Sequence, residues 1–123
     1  GLLYLREGLW KGRPLIPADW IARATSVQVP HDRPLADTDR KGSDGRGIYG
    51  YNWWLAGIPE RGIRGIPSLP PGSYYGSGHN HNMLFVIPDW DIVFVRMGVD
   101  GNPPAGKREV YHAFFEIIGH ALH

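Results

Sequence analysis

Residues 73–98 read SYYGSGHNHNMLFVIPDWDIVFVRMG. Two nearly unbroken apolar runs, Met83 to Ile87 and Ile92 to Met97, flank Pro88-Asp89-Trp90-Asp91. Proline presets φ at the second position of a turn, and aspartate bonds back to the local backbone, so these four residues read as a turn. Apolar runs rich in Val, Ile and Phe with so short a link predict an antiparallel hairpin. Unbroken apolarity, in place of alternation, predicts strands covered on both faces. Just before the first run stands Gly78-His79-Asn80-His81-Asn82, the densest polar cluster of the chain. A polar cluster at the mouth of a buried strand is where a cleft opens.

C-terminal to the hairpin, residues 100–106 are a Gly/Pro connection, and residues 107–123 carry a helical pattern. Val110, Phe114, Ile117, Ile118, Ala121 and Leu122 have the spacing of one apolar helix face. That assignment puts His112, Glu116 and His120 on the solvated side. N-terminal to the hairpin, residues 57–72 form a loop punctuated by Pro59, Pro67, Pro70 and Pro71. Ile48–Ala56, IYGYNWWLA, is an aromatic strand, since aromatic side chains pack well on sheet faces. In a regular strand Trp53 and Trp54 face opposite sides, one in the core and one at a cleft or under a loop. Val29 to Gly47 is polar and irregular, an exposed loop or one that overhangs a binding site. Pro17 suits the first turn of a helix that ends near Ser26, with Asp19 near the positive end of its dipole and Trp20, Ile21 and Ala24 as its apolar face. Trp10 to Pro14 is a turn-rich link, and Leu2 to Leu9 reads as the end of a helix running into Gly8.

The order is therefore helix, helix, long loop, strand, loop, strand, hairpin and helix, an α+β architecture with one antiparallel sheet flanked by helices. Ile48–Ala56, Ser73–Gly78, Met83–Ile87 and Ile92–Met97 are expected in that sheet, with the last helix on one face. Sheet faces this apolar need more cover than three helices supply, so the chain reads as part of a larger fold.

With 123 residues and 42% hydrophobic composition, the chain amounts to one domain or a piece of one. A net charge of +1 with no basic block gives no nucleic-acid footprint. The absence of cysteine excludes disulfides and thiolate chemistry. No apolar run reaches the about 18 residues needed to span a bilayer. The chain opens Gly-Leu-Leu-Tyr without an initiator methionine, and an upstream part is expected.

The polar cluster admits two chemistries to compare. His79 and His81, two apart, would share a strand face and start a zinc or iron site, with a third ligand from His31, Asp32, Asp37 or Asp39. Nucleophilic catalysis lacks its parts: there is no Gly-x-Ser-x-Gly elbow and no Ser-x-x-Lys, and Thr38-Asp39-Arg40-Lys41 sits in a polar loop with nothing rigid to hold it. The glycines follow no phosphate-binding pattern, and no cofactor is implied. By motifs alone the chain offers the wall of a site without its nucleophile.

Four segments together carry a resemblance: Tyr49-Gly50-Tyr51-Asn52-Trp53-Trp54-Leu55, residues 72–82, Leu84-Phe85-Val86-Ile87-Pro88, and Asp91-Ile92-Val93-Phe94-Val95-Arg96. They resemble the C-terminal portion of beta-lactamase-related serine hydrolases, the family of class C beta-lactamases, penicillin-binding proteins and related esterases. Gly12-Arg13-Pro14-Leu15-Ile16-Pro17 is similar to the segment that precedes a helix and the long loop in that family. The resemblance implies a partial beta-lactamase/transpeptidase-like fold, with residues 1–123 as its C-terminal fragment. It implies a missing N-terminal part of the same domain that brings the serine and lysine of Ser-x-x-Lys and a tyrosine. It also implies a small-molecule substrate and a periplasmic or secreted location. The family's third motif lies on the strand that borders the active site and reads Lys-Thr-Gly or His-Gly-Gly, followed by a residue whose backbone N–H completes the oxyanion hole. His79-Asn80-His81 matches that motif and Asn82 the residue after it, with His81 standing where the family has glycine. The resemblance thus gives Asn82 as a backbone oxyanion donor whose side chain matters little, His79 as the first motif position, and Asn80 and His81 as substrate-binding residues. Three readings stay open: the inactive C-terminal fragment of a serine hydrolase, a catalytically dead binding module of that fold, and a small metal-binding α+β domain using His79 and His81.

Overall fold

A computed structural model describes residues 1–34, 44–58, 63–98 and 107–122. The expected third-ligand candidates Asp37 and Asp39, and the 100–106 connection, lie outside the described residues. In chain order the elements are α1 (Leu2–Leu5), β1 (Leu9–Trp10), β2 (Arg13–Pro14), α2 (Ala18–Ala24), β3 (Trp54–Leu55), β4 (Gly57–Ile58), β5 (Ile63–Arg64), β6 (Tyr74–Ser77), β7 (Met83–Ile87), β8 (Ile92–Arg96) and α3 (Lys107–Leu122). The central sheet has four antiparallel strands in the order β3-β6-β7-β8. Two small hairpins, β1-β2 and β4-β5, stand apart from it. The chain is α+β, as its pattern of elements predicts.

The hairpin of the opening motif is formed as expected, with Ile87 paired to Ile92 and Met83 to Arg96. A 3-10 turn over Pro88–Trp90 and a left-handed Asp91 (φ 55°) join its strands. β7 is buried on both faces: Phe85, Val86 and Ile87 are fully enclosed. Alternation divides its side chains between two clusters. Met83, Phe85 and Ile87 pack with Phe115 of α3 and with Ala56, Ile66 and Leu69. Val86 packs on the other face with Tyr74, Leu55, Trp53 and Ala24, and with Tyr4 and Leu5 of α1. The second covering layer that the apolar strands call for is thus α1 with α2. Ile66 and Leu69 show that the expected 57–72 loop also gives side chains to the core.

Three expectations are corrected. The aromatic stretch Ile48–Ala56 is not one strand. Only Trp54–Leu55 joins the sheet, because Asn52 turns left-handed (φ 61°) and the chain folds back so that Tyr49 bridges Trp54. Folding back lets Tyr49 and Trp54 meet edge to face at 4.7 Å while Trp53 enters the core against Tyr74. The turn-rich link Trp10–Pro14 is itself a hairpin, with Lys11 and Gly12 left-handed.

The third correction is the face of α3. Phe115 is the buried residue, flanked by half-buried Tyr111, His112, Ile118 and Gly119. Val110, Phe114, Ile117 and Leu122 are exposed instead. Tyr111 and Phe115 pack against Phe85, the first tilted at 5.2 Å and the second edge to face at 4.8 Å, and Gly119 lets Trp90 come close. Aromatic area outweighs aliphatic count, which turns the helix by about one residue relative to the expected stripe. His112 consequently leaves the solvated side, and its Nδ1 is buried with no hydrogen-bond partner among the described residues. Glu116 and His120 are exposed as expected.

Candidate functional site

Residues 78–82 connect β6 to β7, whose register runs Ser77 opposite Met83 and Gly76 opposite Leu84. A connection this short between antiparallel strands must reverse sharply. It does so through a 3-10 turn over His79–His81, in which Asn80 (φ 55°, ψ 28°) and His81 (φ 53°) are both left-handed. L-residues enter this region at a cost, because Cβ crowds the following carbonyl, and asparagine tolerates it better than histidine. His79 and His81 therefore do not share a strand face, as their spacing suggested; they flank the bend. His79 and Asn80 are exposed, and His81 and Asn82 are half-buried.

The turn is fastened by bonds that the sequence did not announce. The Gly78 N–H donates to the Asn82 carbonyl at 2.8 Å, and the Asn82 N–H donates to the His79 carbonyl at 3.2 Å. The Asn82 side chain bridges two strands' ends: its Nδ2 donates to the His79 carbonyl at 2.9 Å, and its Oδ1 accepts from the Gly98 N–H at 2.9 Å. From the end of β8, Arg96 Nη1 donates to the carbonyls of Asn80 and His81 at 2.6 and 2.9 Å. Arg96 was legible only as a charge closing an apolar strand, a position where a cation is retained when it has acceptors to meet.

Beside this turn lies a groove of about 440 Å³. Ser77, Gly78 and Asn82 form one rim, and Leu84, Val95 and Met97 form its sheet wall. Tyr49 and Asn52 form the opposite rim, carried on the folded-back aromatic stretch. Leu84 belongs to the face covered by α1 and α2, and Val95 is its register partner, so the groove opens on the sheet face opposite α3. The rim is braced from behind: the Tyr49 carbonyl accepts from the N–H groups of Gln28 and Val29, and Tyr51 stacks on Trp20 at 5.6 Å. Among the candidate residues, Asn82 lines the groove, while His79, Asn80 and His81 lie at its turn without lining it. Tyr49, Asn52, Ser77 and Met97 are groove residues that sequence reasoning did not single out.

No charged side chain among the described residues lines the groove. Among the described residues no group of three His, Asp or Glu side chains is arranged to hold a metal ion. The described end of the long loop carries an exposed ion pair. The Arg46 side chain donates to both Asp44 carboxylate oxygens, and this bond, helped by the Arg46 backbone N–H, holds Asp44 at about 2. Arg46 also donates to the Arg33 carbonyl at 3.0 Å. No described helix is long and apolar enough to cross a membrane.

No family profile matches the chain. It is similar to an uncharacterized protein of Alkalihalophilus pseudofirmus, with 26% identity over 106 residues, covering 86% of this chain and 29% of that protein. The chain thus spans less than a third of the length of the relative it matches.

Proposed function

We propose that this chain is the C-terminal, sheet-forming part of a serine hydrolase of the beta-lactamase-related type, which cleaves an ester, amide or lactam through an acyl-enzyme. In this reading the serine, lysine and tyrosine belong to an upstream part of the same protein. The 123-residue chain supplies a wall of the cleft and is inactive alone.

Residues 79–81 form a turn between β6 and β7 where the family's third motif runs along a strand; what supports the reading is the backbone of that turn. The family's His-Gly-Gly has glycine at the two places held here by Asn80 and His81. Both have the positive φ, 55° and 53°, that glycine adopts freely. A backbone suited to two glycines is present under side chains that are not glycine. A groove of about 440 Å³ beside that turn is within the size range of small-molecule sites. Its apolar wall of Leu84, Val95 and Met97, and the lack of a charged lining residue among the described residues, suit an uncharged acyl group better than a carboxylate.

The proposed chemistry asks two things of the turn. The Asn82 N–H, held by the His79 carbonyl at 3.2 Å, swings to the acyl oxygen as negative charge develops there. A long neutral bond is exchanged for a charge-assisted one, and an oxyanion donor of this kind contributes about 3 kcal/mol to the transition state. His79, exposed at the start of the turn, orients the substrate or carries a proton. Asn80 and His81 contact the part of the substrate that projects past the turn.

A binding module of the same fold is the second reading, favoured by the Asn82 N–H already having an acceptor and by His81 in a glycine place. The deciding experiment incubates the full-length protein with a fluorophosphonate and, separately, with a beta-lactam, and follows intact mass. A single adduct on a serine upstream of Gly1 is expected. An adduct on a serine within residues 1–123 overturns the division of labour. No adduct from either reagent leaves the binding module in place of the hydrolase.

A further inference from the structure

We infer that Arg96 is the positioning residue that holds the His79–His81 turn in its doubly left-handed form. The effect on turnover described below rests on the hydrolase reading; the effect on the turn does not.

Two successive left-handed residues that are not glycine persist only where the surroundings over-determine them. In extended chain, successive carbonyls point in opposite directions; in a helical turn of either hand they point the same way. Arg96 Nη1 meets the carbonyls of Asn80 and His81 together, at 2.6 and 2.9 Å. One cationic donor shared by two consecutive carbonyls therefore selects the helical arrangement and rejects the extended one. Both bonds are charge-assisted, which makes them the strong members of the turn's network.

The clamp stands on a rigid support. Arg96 is the last residue of β8 and is registered opposite Met83, the first residue of β7. By strand alternation it approaches from the face opposite Val95, so it grips the turn from behind while the groove stays open in front. The Asn82 side chain fastens the far end of the same turn to the His79 carbonyl and the Gly98 N–H. Arg96 is not among the residues that line the groove. Its role is to fix where His79 and the Asn82 N–H stand.

This assignment makes a demand that a general structural role does not. If Arg96 acts by holding two strained residues, then removing the strain must relieve the need for it. The experiment compares the full-length protein with R96M, R96K, N80G/H81G and R96M/N80G/H81G. Hydrogen exchange of a peptide covering 78–83, followed by mass spectrometry, reports the turn. The rate of fluorophosphonate acylation reports the cleft. Losing charge-assisted bonds is expected to speed exchange in 78–83, and to slow acylation, by about tenfold or more in R96M. R96K should fall between, since a lysine is a point charge without the planar fork. Adding the two glycines to R96M should recover most of the change in exchange. Because Asn80 and His81 are themselves placed against the substrate, acylation is compared between N80G/H81G and R96M/N80G/H81G, where the loss of Arg96 should cost far less than it does in the unmodified protein.

Unchanged exchange in R96M, or no recovery with the glycines, overturns the proposal. Should R96M fail to fold, R96K with and without the glycine pair decides by the same two criteria. If the unmodified protein is not acylated at all, the hydrolase reading fails, and exchange of 78–83 alone still judges Arg96.

Discussion

The Arg6 guanidinium grips both carboxylate oxygens of Asp91, at 2.6 and 3.1 Å. The pair ties α1 to the turn of the β7-β8 hairpin across 85 residues of sequence. Both side chains are more than half exposed, so the ion pair itself stabilises by only about 0.2–1 kcal/mol. Asp91 has a second duty, its left-handed φ of 55°. Asp91→Asn keeps a residue that tolerates this φ and should cost no more than the ion pair. Asp91→Ala loses the pair and adds the left-handed penalty of about 1–2 kcal/mol. Urea denaturation of the two variants checks the ranking; equal losses would mean that the backbone conformation is not a constraint.

Gly8 and Gly12 separate conformation from space. Both have positive φ, 88° and 76°. A Cβ on Gly12 meets nothing within 4 Å, whereas one on Gly8 would lie 1.9 Å from the Ile16 carbonyl oxygen. That carbonyl cannot withdraw cheaply, because Gly8 also accepts from the Leu15 and Ile16 N–H groups and so joins α1 to the approach of α2. Gly12→Ala should cost about 1–2 kcal/mol from φ alone. Gly8→Ala should cost visibly more, by the further 1–3 kcal/mol typical of overpacking. Thermal unfolding of both reports the difference.

The hairpin and its cover on both faces were legible because both follow from composition over short range. Val, Ile and Phe in unbroken runs around Pro88-Asp89 admit few other arrangements. The fold of the aromatic stretch is not legible in the sequence because period and propensity cannot see a left-handed residue. Asn52 looks like any polar position until its φ is known. The face of α3 is not legible either, because counting apolar positions gives Phe115 and Ile117 equal weight, whereas Phe115 meets the ring of Phe85 at 4.8 Å and Ile117 meets solvent. At the candidate site the polar cluster was visible, but its fastening was not. Arg96 and Gly98 reach residues 79–82 only once β7 and β8 have paired.

Tyr74 gives the fold a pH signature. Burial raises its phenol from the ordinary 10.0 to about 12, with smaller contributions from Tyr4 and Glu7. The fold therefore favours the neutral phenol, while the unfolded chain ionises near 10. The associated stability is complete below pH 10 and is lost as pH rises through 12. Tyr74→Phe keeps the ring contact with Trp53, at 5.1 Å, and should remove this alkaline loss. Denaturation midpoints at pH 8 and pH 11 test it. A midpoint that falls equally in both proteins assigns the loss to other groups.

The exposed side of α3 predicts association. Ile117 is 69% exposed and shares the outer face with Val110 and Phe114, while Met97 beyond the end of β8 is 78% exposed. β8 is also an edge strand, and open edges invite pairing. The isolated 123-residue chain should bind a hydrophobic dye and self-associate on a sizing column. Ile117→Lys should reduce both, with a stability change within about 0.5 kcal/mol, as for a surface site. Phe115→Ala, on the buried side, should cost about 3–5 kcal/mol. A monomeric, dye-silent parent chain would show that the exposed stripe carries no such tendency.

Asn82 permits the sharpest dissection, because its backbone and side chain have separable tasks. The resemblance alone makes the side chain unimportant, so that only proline, which removes the N–H, should matter. The geometry adds a second expectation, since the side chain spans from the His79 carbonyl to the Gly98 N–H. Asn82→Ala removes both side-chain bonds, leaving the Gly98 N–H to find water and the His79 carbonyl with only the backbone N–H of residue 82. It should cost about 1–2 kcal/mol of stability. Asn82→Asp is the informative variant. A carboxylate still accepts from the Gly98 N–H but presents an oxygen to the His79 carbonyl in place of a donor. Its stability should fall at least as far as that of alanine at pH 7, and recover in part at low pH as protonation restores a donor. Asn82→Pro removes the N–H that the His79 carbonyl accepts, and in the full-length protein should abolish acylation, where alanine only slows it. Equal acylation rates for alanine and the unmodified protein, together with equal stabilities, would mean that neither the bridge nor the turn it fastens matters to the site.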